Sequence, residues 1–252
     1  IRNYKRLKMN IHAEEADPIV TDKDVTAFIR IGSDFRDNYY QIEIPLKITP
    51  PGVYEDGTDD KFIVWPSENE VDISLQDFTN LKLERNATGT ALNNPYSKFN
   101  SKGNIITIVG NPDLGLATTV MMGVKNPKQR DPYNPKPDGD DGQPKCVSVW
   151  FNELRLLGFD EGGGTATLAN LSLKLADLAN VTVSTRYHSI GFGQIEQKVD
   201  QRYRDTYVDY DVATNVEAGK FFPKKWGFRI PFYGSYAQKI STPQYDPYQR
   251  DV

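Results

Sequence analysis

Apolar and polar residues alternate with a period of two along most of this chain, and the spacing of an amphipathic helix is nearly absent. Alternation of this kind is typical of β-strands that have one buried face and one solvated face. In the first third of the chain it runs through residues 7–13, 25–31, 40–48 and 71–75. The sequence therefore predicts an all-β chain with no helix longer than a turn or two.

Proline, glycine and asparagine separate these predicted strands. Residues 105–109 are continuously apolar, as expected in a sheet interior, and the alternation shifts parity at Asn152, which predicts a β-bulge. We interpret residues 1–158 as an antiparallel sandwich of jelly-roll type. The proline-rich segment 126–144 is predicted to be an exposed excursion, because proline cannot join an interior ladder.

Four longer alternating segments follow Gly162, and each has roughly 8–13 residues, near the length that crosses a bilayer at a tilt. Their connections are predicted to be short, long and short, with turns at 176–180 and 219–225 around a polar stretch at 189–205. This pattern favours residues 159–252 as four strands of a large transmembrane β-barrel, and a soluble sheet is the alternative. Four strands cannot close such a barrel, so further strands are required.

Aromatic residues cluster near the predicted ends of these four strands, where a membrane interface favours amphipathic rings. They are Tyr187, Phe221, Phe222, Trp226, Tyr233 and Tyr236. Short turns of bacterial barrels face the periplasm, which predicts that residues 1–158 lie on the extracellular side. The face that carries Leu173 is then predicted to contact lipid, and the face that carries Ser172 to line the lumen.

The composition argues against most enzyme chemistry. With one cysteine and two histidines, the chain lacks the ligands of a histidine–cysteine zinc site. The three glycines 162–164 are not followed by the lysine and hydroxyl residue of a phosphate loop, so we interpret them as a flexible joint. A net charge of -4 gives no long-range attraction to nucleic acid. We expect no enzyme activity and no cofactor, and Cys146 is predicted to be a small core residue.

Two groups of carboxylates remain as weak candidates. Asp138, Asp140 and Asp141 offer the oxygen ligands that calcium prefers, but the closing glutamate of an EF-hand loop is missing, and a solvated acidic loop is the alternative. Glu153, Asp160 and Glu161 are the candidate carboxylates of a soluble hydrolase, with Glu153 as the residue to test. The alternative for Glu153 is an ion-paired side chain at a sheet edge, beside Arg155.

Several long segments resemble one known family. Residues 149–156, with the sequence VWFNELRL, resemble a VWxNELRL segment of the SprA/Sov family. Further segments that are similar to this family are 28–40, 174–181, 191–198 and 219–227. The resemblance covers nearly the whole chain and is strongest from Val147 onward. Neither end of the chain is typical of a natural terminus, so we expect a fragment.

The resemblance implies a giant single-chain barrel in the outer membrane of Bacteroidetes, the translocon of the type IX secretion system, associated with gliding motility. Such a channel exports folded cargo proteins to the cell surface, and its energy is supplied from the inner membrane. The implied partners are the remainder of the translocon barrel, a PorV-type shuttle barrel, a periplasmic plug, secreted cargo and outer-membrane lipid. The family has no catalytic residues to transfer to this chain.

The polar stretch between the second and third barrel strands belongs to one of the family-like segments. It supplies our candidates for contact with a partner or the lumen, and an ordinary exposed loop is the alternative. The candidates are Gln194, Glu196, Lys198 and Arg202. An alternative function is a surface carbohydrate-binding β-sandwich module, in which aromatic residues such as Trp65 or Tyr133 stack on sugars.

Overall fold

The structure, a computed structural model, describes residues 1–16, 20–128, 131–136, 142–248 and 251. It contains two compact units, residues 1–160 with 248–252, and residues 161–247. The predicted domains, 1–158 and 159–252, lie close to this division, except that residues 248–252 group with the first unit. All three sheets are antiparallel, which confirms the all-β prediction.

The described residues of the first unit contain eight strands. They are β1 (Arg6–Glu15), β2 (Thr26–Gly32), β3 (Tyr39–Pro45), β4 (Val71–Ser74), β5 (Tyr96–Phe99), β6 (Ile105–Val109), β7 (Thr119–Lys125) and β8 (Val147–Leu157). One sheet has the order β4-β1-β8 and the other β5-β6-β3-β2-β7. Eight strands in two sheets agree with the jelly-roll-like prediction in strand number, although the sheets are unequal in size.

The hydrophobic core of the first unit draws on both sheets. In β1 the alternate residues Leu7, Met9 and Ile11 are buried, and Ile29 and Ile42 are buried on the five-stranded sheet. Burying an aliphatic side chain of this size contributes roughly 1.5–3 kcal/mol. The period-two pattern therefore specifies which side of each strand faces the core.

The bulge predicted from the parity shift at Asn152 is confirmed. Asn10 pairs with Asn152 and Lys8 with Arg155, so two residues of β8 lie opposite one residue of β1. Glu153 has a φ of 57°, in the left-handed region that a side chain rarely adopts. Because of the extra residue, the apolar positions of β8 change from odd-numbered residues before the bulge to even-numbered residues after it.

One long helix corrects the prediction that no helix exceeds a turn or two. Helix α1 (Lys61–Val64) is a single turn, within that prediction, but α2 (Leu75–Thr88) has 14 residues. Ser74 caps α2, since its side chain accepts a hydrogen bond from the Gln76 amide, and the left-handed Gly89 ends the helix. No helix in the described part of the chain is long and apolar enough to span a membrane.

The helix was missed for a physical reason. The alternation of Val71 and Ile73 continues into Leu75, which is already the first residue of α2. The buried face of the helix then includes Lys82 and Arg85, both fully buried. Because two of its buried positions are charged, the helix lacks the apolar stripe that periodicity analysis detects.

The segment 126–144 and Cys146 also differ from expectation. The described residues of the segment contain no strand, as predicted, but part of it packs on the unit rather than being exposed. Asn134 is buried, and the Lys136 ammonium lies 2.7 Å from the Asp24 carboxylate. Cys146 is exposed and not a core residue, because it precedes the first paired residue of β8.

The second unit is a single four-stranded sheet with the order β12-β11-β10-β9. Its strands are β9 (Ala166–Leu175), β10 (Ala179–His188), β11 (Asp205–Glu217) and β12 (Pro231–Pro243). Short 3-10 helices occur at Ser67–Asn69 in the first unit and, in the second unit, at Val199–Gln201, Ala218–Phe221 and Lys224–Trp226.

The last strand starts later than predicted. We expected a short turn at 219–225 and a strand from Trp226, but the connection spans residues 218–230 and contains two 3-10 helices. Gly227 adopts a left-handed conformation with a φ of 68°, so the backbone is not extended at this residue. The sequence alternation of Trp226, Phe228 and Ile230 therefore lies outside the strand. The three connections of this sheet are therefore short, long and long.

Asp34 organises the β2–β3 connection. Its carboxylate accepts hydrogen bonds from the Asp37 amide at 2.6 Å, from the Asn38 side chain at 3.0 Å and from the Arg36 amide at 2.8 Å. These donors hold the pKa of Asp34 well below its ordinary value.

Replacing Asp34 should change how stability depends on pH. The pKa of Asp34 is lower in the folded chain than in the unfolded chain. The ionised carboxylate therefore stabilises the fold at pH values above the unfolded pKa of about 3.9, and this stabilisation is lost as the pH falls toward the folded pKa. We expect Asp34→Ala to lower the melting temperature at neutral pH, with a smaller difference at about pH 3. Asp59→Ala, at another exposed carboxylate, should show neither effect. If the melting temperatures of the two variants depended on pH in the same way, the prediction would be wrong.

Phe78 anchors α2, since it is fully buried and its ring stacks on Tyr40 with centroids 5.1 Å apart. We expect Phe78→Ala to cost about 3–5 kcal/mol in the free energy of unfolding, as removal of a buried aromatic side chain usually does. Urea denaturation measures the loss. Leu83→Ala on the same helix is the control, because Leu83 is 41% exposed. Similar losses in both variants would show that the helix does not contribute Phe78 to the core.

Candidate functional site

The register of the second unit assigns every strand residue to one of two faces. Val183 of β10 lies opposite Leu171 of β9 and Val212 of β11, and Val212 lies opposite Tyr236 of β12. Directly opposed residues of antiparallel strands share a face of the sheet. These four side chains therefore form one row across the whole sheet.

The face that contains this row is apolar. Its larger members are Leu171, Leu173, Leu175, Val181, Val183, Tyr187, Val208, Tyr210, Val212, Val216, Phe232, Tyr236 and Ile240. The three leucines of β9 are about half exposed, at 53%, 45% and 52%. An exposed apolar face of this extent marks a surface that contacts lipid or another protein.

The opposite face is mainly polar and carries a row of alternating charge. Arg186 of β10 lies opposite Asp209 of β11, and Asp209 lies opposite Lys239 of β12. Opposite charges in such positions stabilise a sheet by roughly 0.2–1 kcal/mol per pair. The remaining polar members include Asn170, Ser172, Lys174, Asn180, Ser184, Asp211 and Asn215, and the larger apolar exceptions are Leu168 and Tyr233.

His188 fixes the end of the sheet where β10 leads into the 189–204 connection. Its Nε2 lies 3.2 Å from the Asp205 carboxylate, which also accepts a hydrogen bond of 2.7 Å from the Ser241 hydroxyl. The imidazole packs against Tyr203 and Tyr207, with ring centroids at 4.3 and 5.3 Å. This cluster ties three strands and the connection together.

The 189–204 connection folds back on itself. The Gly191 amide donates to the Tyr203 carbonyl at 2.8 Å, and the Tyr203 amide donates to the Phe192 carbonyl at 2.9 Å. Gly191 has a φ of 82°, and a Cβ at this position would lie 2.6 Å from the Gly162 carbonyl oxygen. Glycine is therefore required there, which gives a structural reason for part of the family-like segment 191–198.

The four sequence candidates lie together in this connection. Gln194, Glu196 and Lys198 are exposed, whereas Arg202 is half-buried against Gly193. The structure does not place them on the polar face of the strands. Their contact with a partner or the lumen remains a prediction.

The charge row was missed by sequence reasoning. The alternation assigns Arg186, Asp209 and Lys239 each to the polar side of a strand, but only the register places them side by side. The alternation shows on which side of its own strand each charged residue lies. It does not show which strands pair or in which register, so the row itself could not be predicted.

The remaining candidates do not converge on a reactive centre. Asp138, Asp140 and Asp141 lie outside the described residues, and the part of the chain that is described contains no cluster of three or more potential metal ligands. Glu153 forms an ion pair with Arg155 at the bulge. This pair matches the alternative that we gave for Glu153.

The aromatic residues considered for sugar stacking make internal contacts. The Trp65 ring lies 5.6 Å from His12, and the Tyr133 hydroxyl donates to the Ser97 carbonyl at 2.7 Å. These contacts give the carbohydrate-binding alternative no specific support, and it remains a prediction.

A family model described as "Motility related/secretion protein" matches residues 1–252, the full length of the chain. The chain belongs to this family, SprA_N, and the resemblance to SprA-type proteins is confirmed. No curated protein matches the chain. Family membership assigns the chain a role related to motility or secretion.

Proposed function

We propose that the four-stranded sheet is part of the wall of an outer-membrane protein-conducting channel that exports folded cargo in type IX secretion. The observation that carries the proposal is the division of one sheet into an exposed apolar face and a charged polar face. A membrane barrel needs this division, because alternate residues face lipid and lumen.

Strand length supports the proposal. The four strands have 10, 10, 13 and 13 residues, and a tilted strand needs about 9–11 residues to cross the hydrocarbon core. Within the described residues, β9 and β12 each pair with one neighbour only. Backbone groups at an open edge cannot remain unpaired in lipid, so the proposal requires further strands of the barrel on both sides.

The proposed role is that of a conduit and scaffold, without enzyme chemistry or a cofactor. The row of Arg186, Asp209 and Lys239 would face a water-filled lumen, where charges remain solvated. The 189–204 connection is the proposed contact for a shuttle barrel or cargo, because it is ordered by its own hydrogen bonds and exposes Gln194, Glu196 and Lys198.

Matched substitutions on neighbouring residues of β9 test the lipid-facing assignment. We expect Leu173→Arg to destabilise the inserted sheet by about 2–4 kcal/mol if Leu173 lies near the bilayer midplane. Ser172→Arg, one residue away on the polar face, should be tolerated. The measurement is the amount of each full-length variant that is folded and protease-resistant in the outer membrane. Equal tolerance or equal loss would remove the support for a lipid face.

The proposed orientation places the 176–178 turn in the periplasm and the 189–204 connection outside. The 218–230 connection lies at the same end of the sheet as the turn, but it is long. Since only short connections indicate the periplasmic end, the proposed orientation depends on the 176–178 turn alone. The chain enters β9 from the outer end, which predicts that residues 1–158 are extracellular.

Cysteine labelling of intact cells tests this orientation. Native Cys146 is exposed and should react with a membrane-impermeant reagent. In a Cys146→Ser background, Gln194→Cys should also react, whereas Asp177→Cys, in the turn, should be protected until the outer membrane is opened. The Asp177 side chain is 88% exposed, so protection would come from the membrane and not from burial. The reverse pattern would invert the orientation, and equal labelling would argue against a membrane-spanning sheet.

A further inference from the structure

Asp251 is a buried acidic residue at the end of a segment that returns to the first unit. The chain leaves this unit after residue 160, forms the second unit, and groups with the first again at 248–252. The Asp251 side chain is 1% exposed, and its φ of 75° lies in the left-handed region. Side chains rarely adopt that conformation, so contacts of the carboxylate must hold it in place.

The carboxylate of Asp251 accepts hydrogen bonds from three elements of the first unit. The Leu114 amide lies 2.8 Å from both oxygens, the Tyr40 hydroxyl donates to Oδ2 at 3.1 Å, and Arg2 donates to Oδ1 at 3.3 Å. These three groups are donors, and the Asp251 carboxylate oxygens can accept from all of them. The Asp113 carboxylate also interacts with Asp251, and burial together with this neighbour raises the pKa of Asp251.

Buried positive charge surrounds this position. Lys82 and Arg85 of α2 are fully buried and donate to the Pro112 and Gly110 carbonyls, respectively. Burial lowers the pKa of Lys82, and the Asp251 carboxylate opposes that shift. Buried cations require nearby negative charge, because neither water nor apolar side chains compensate them there.

One further carboxylate, that of Asp113, lies in this region. It accepts a hydrogen bond from the Gly115 amide at 2.7 Å and another from Arg2. Gly115 leaves room for the guanidinium, since a Cβ there would lie 2.7 Å from the Arg2 Cζ. Asp113 therefore interacts with Arg2, its own turn and Asp251, and Asp251 is the second carboxylate beside Arg2 and Lys82.

We propose that the first unit contains a carboxylate socket, formed by Arg2, Tyr40, Lys82 and the Leu114 amide, and that Asp251 docks the returning segment into it. The ligand of the socket is a peptide carboxylate supplied by the same chain. One of the two carboxylates that balance the buried cations, Asp251, then lies beyond the four-stranded sheet, and the other is Asp113. The socket therefore makes the stability of the first unit depend on the segment that follows β12.

Chemical rescue tests the socket. We expect Asp251→Ala to lower the melting temperature of the full chain and to accelerate hydrogen exchange at the Leu114 amide. Sodium acetate should restore part of the lost melting temperature, and sodium chloride at the same ionic strength should not. Asp177→Ala, at an exposed carboxylate, is the control and should respond to neither salt. Unchanged melting and unchanged Leu114 exchange in Asp251→Ala would overturn the proposal, as would equal responses to acetate and chloride.

A second pair of variants covers the case in which Asp251→Ala does not fold. Asp251→Leu keeps the approximate size of the side chain but offers no hydrogen-bond acceptor, and it should also speed exchange at Leu114. Adding Lys82→Met to either Asp251 variant should recover stability, because it removes a cation that has lost one of its two neighbouring carboxylates. If Asp251→Leu matches the unchanged chain, or if Lys82→Met is equally destabilising with and without Asp251, the socket does not exist.

Discussion

The alternation of side chains between the two faces of an antiparallel strand is the constraint on which both units depend. In the first unit the apolar faces of two sheets meet, and residues such as Met9 and Ile42 form a shared core. In the second unit a single sheet has the same alternation, and its apolar face, with Leu173, is about half exposed. One backbone geometry thus supports a closed sandwich in one unit, and in the other it leaves a face that needs an apolar partner.

Charged side chains lie in different environments in the two units. In the second unit Arg186, Asp209 and Lys239 alternate across strands on a face that is compatible with water. In the first unit Lys82 is buried beside Asp251, where each charge depends on its neighbours. Solvated charges suit the wall of the proposed conduit, and the buried charges belong to the proposed socket for Asp251. The chain belongs to a family related to motility or secretion.

Sequence reasoning recovered much of the fold and less of the site. Most strand segments, the bulge at Asn152 and the family were predicted, because each depends on local alternation or on long sequence segments, but β5 and β7 were not predicted. Helix α2 was missed because Lys82 and Arg85 occupy buried positions that a pattern of apolar residues does not reveal. The start of β12 was misplaced because the apolar alternation already begins at Trp226, within the connection that precedes the strand. Candidates such as Glu196 were found, but the charge row was not.

By itself the sequence determined that the chain is built from antiparallel strands, which residues of each strand share a side, and which family the chain belongs to. The strands and their faces are local properties, because the period of two is a property of the extended backbone. The family follows from long sequence segments. Only the tertiary structure decided which strands pair, in which register, and that Asp251 reaches Leu114 and Tyr40 from the far end of the chain. Contacts between distant residues depend on how the whole core packs, and no local pattern carries that information.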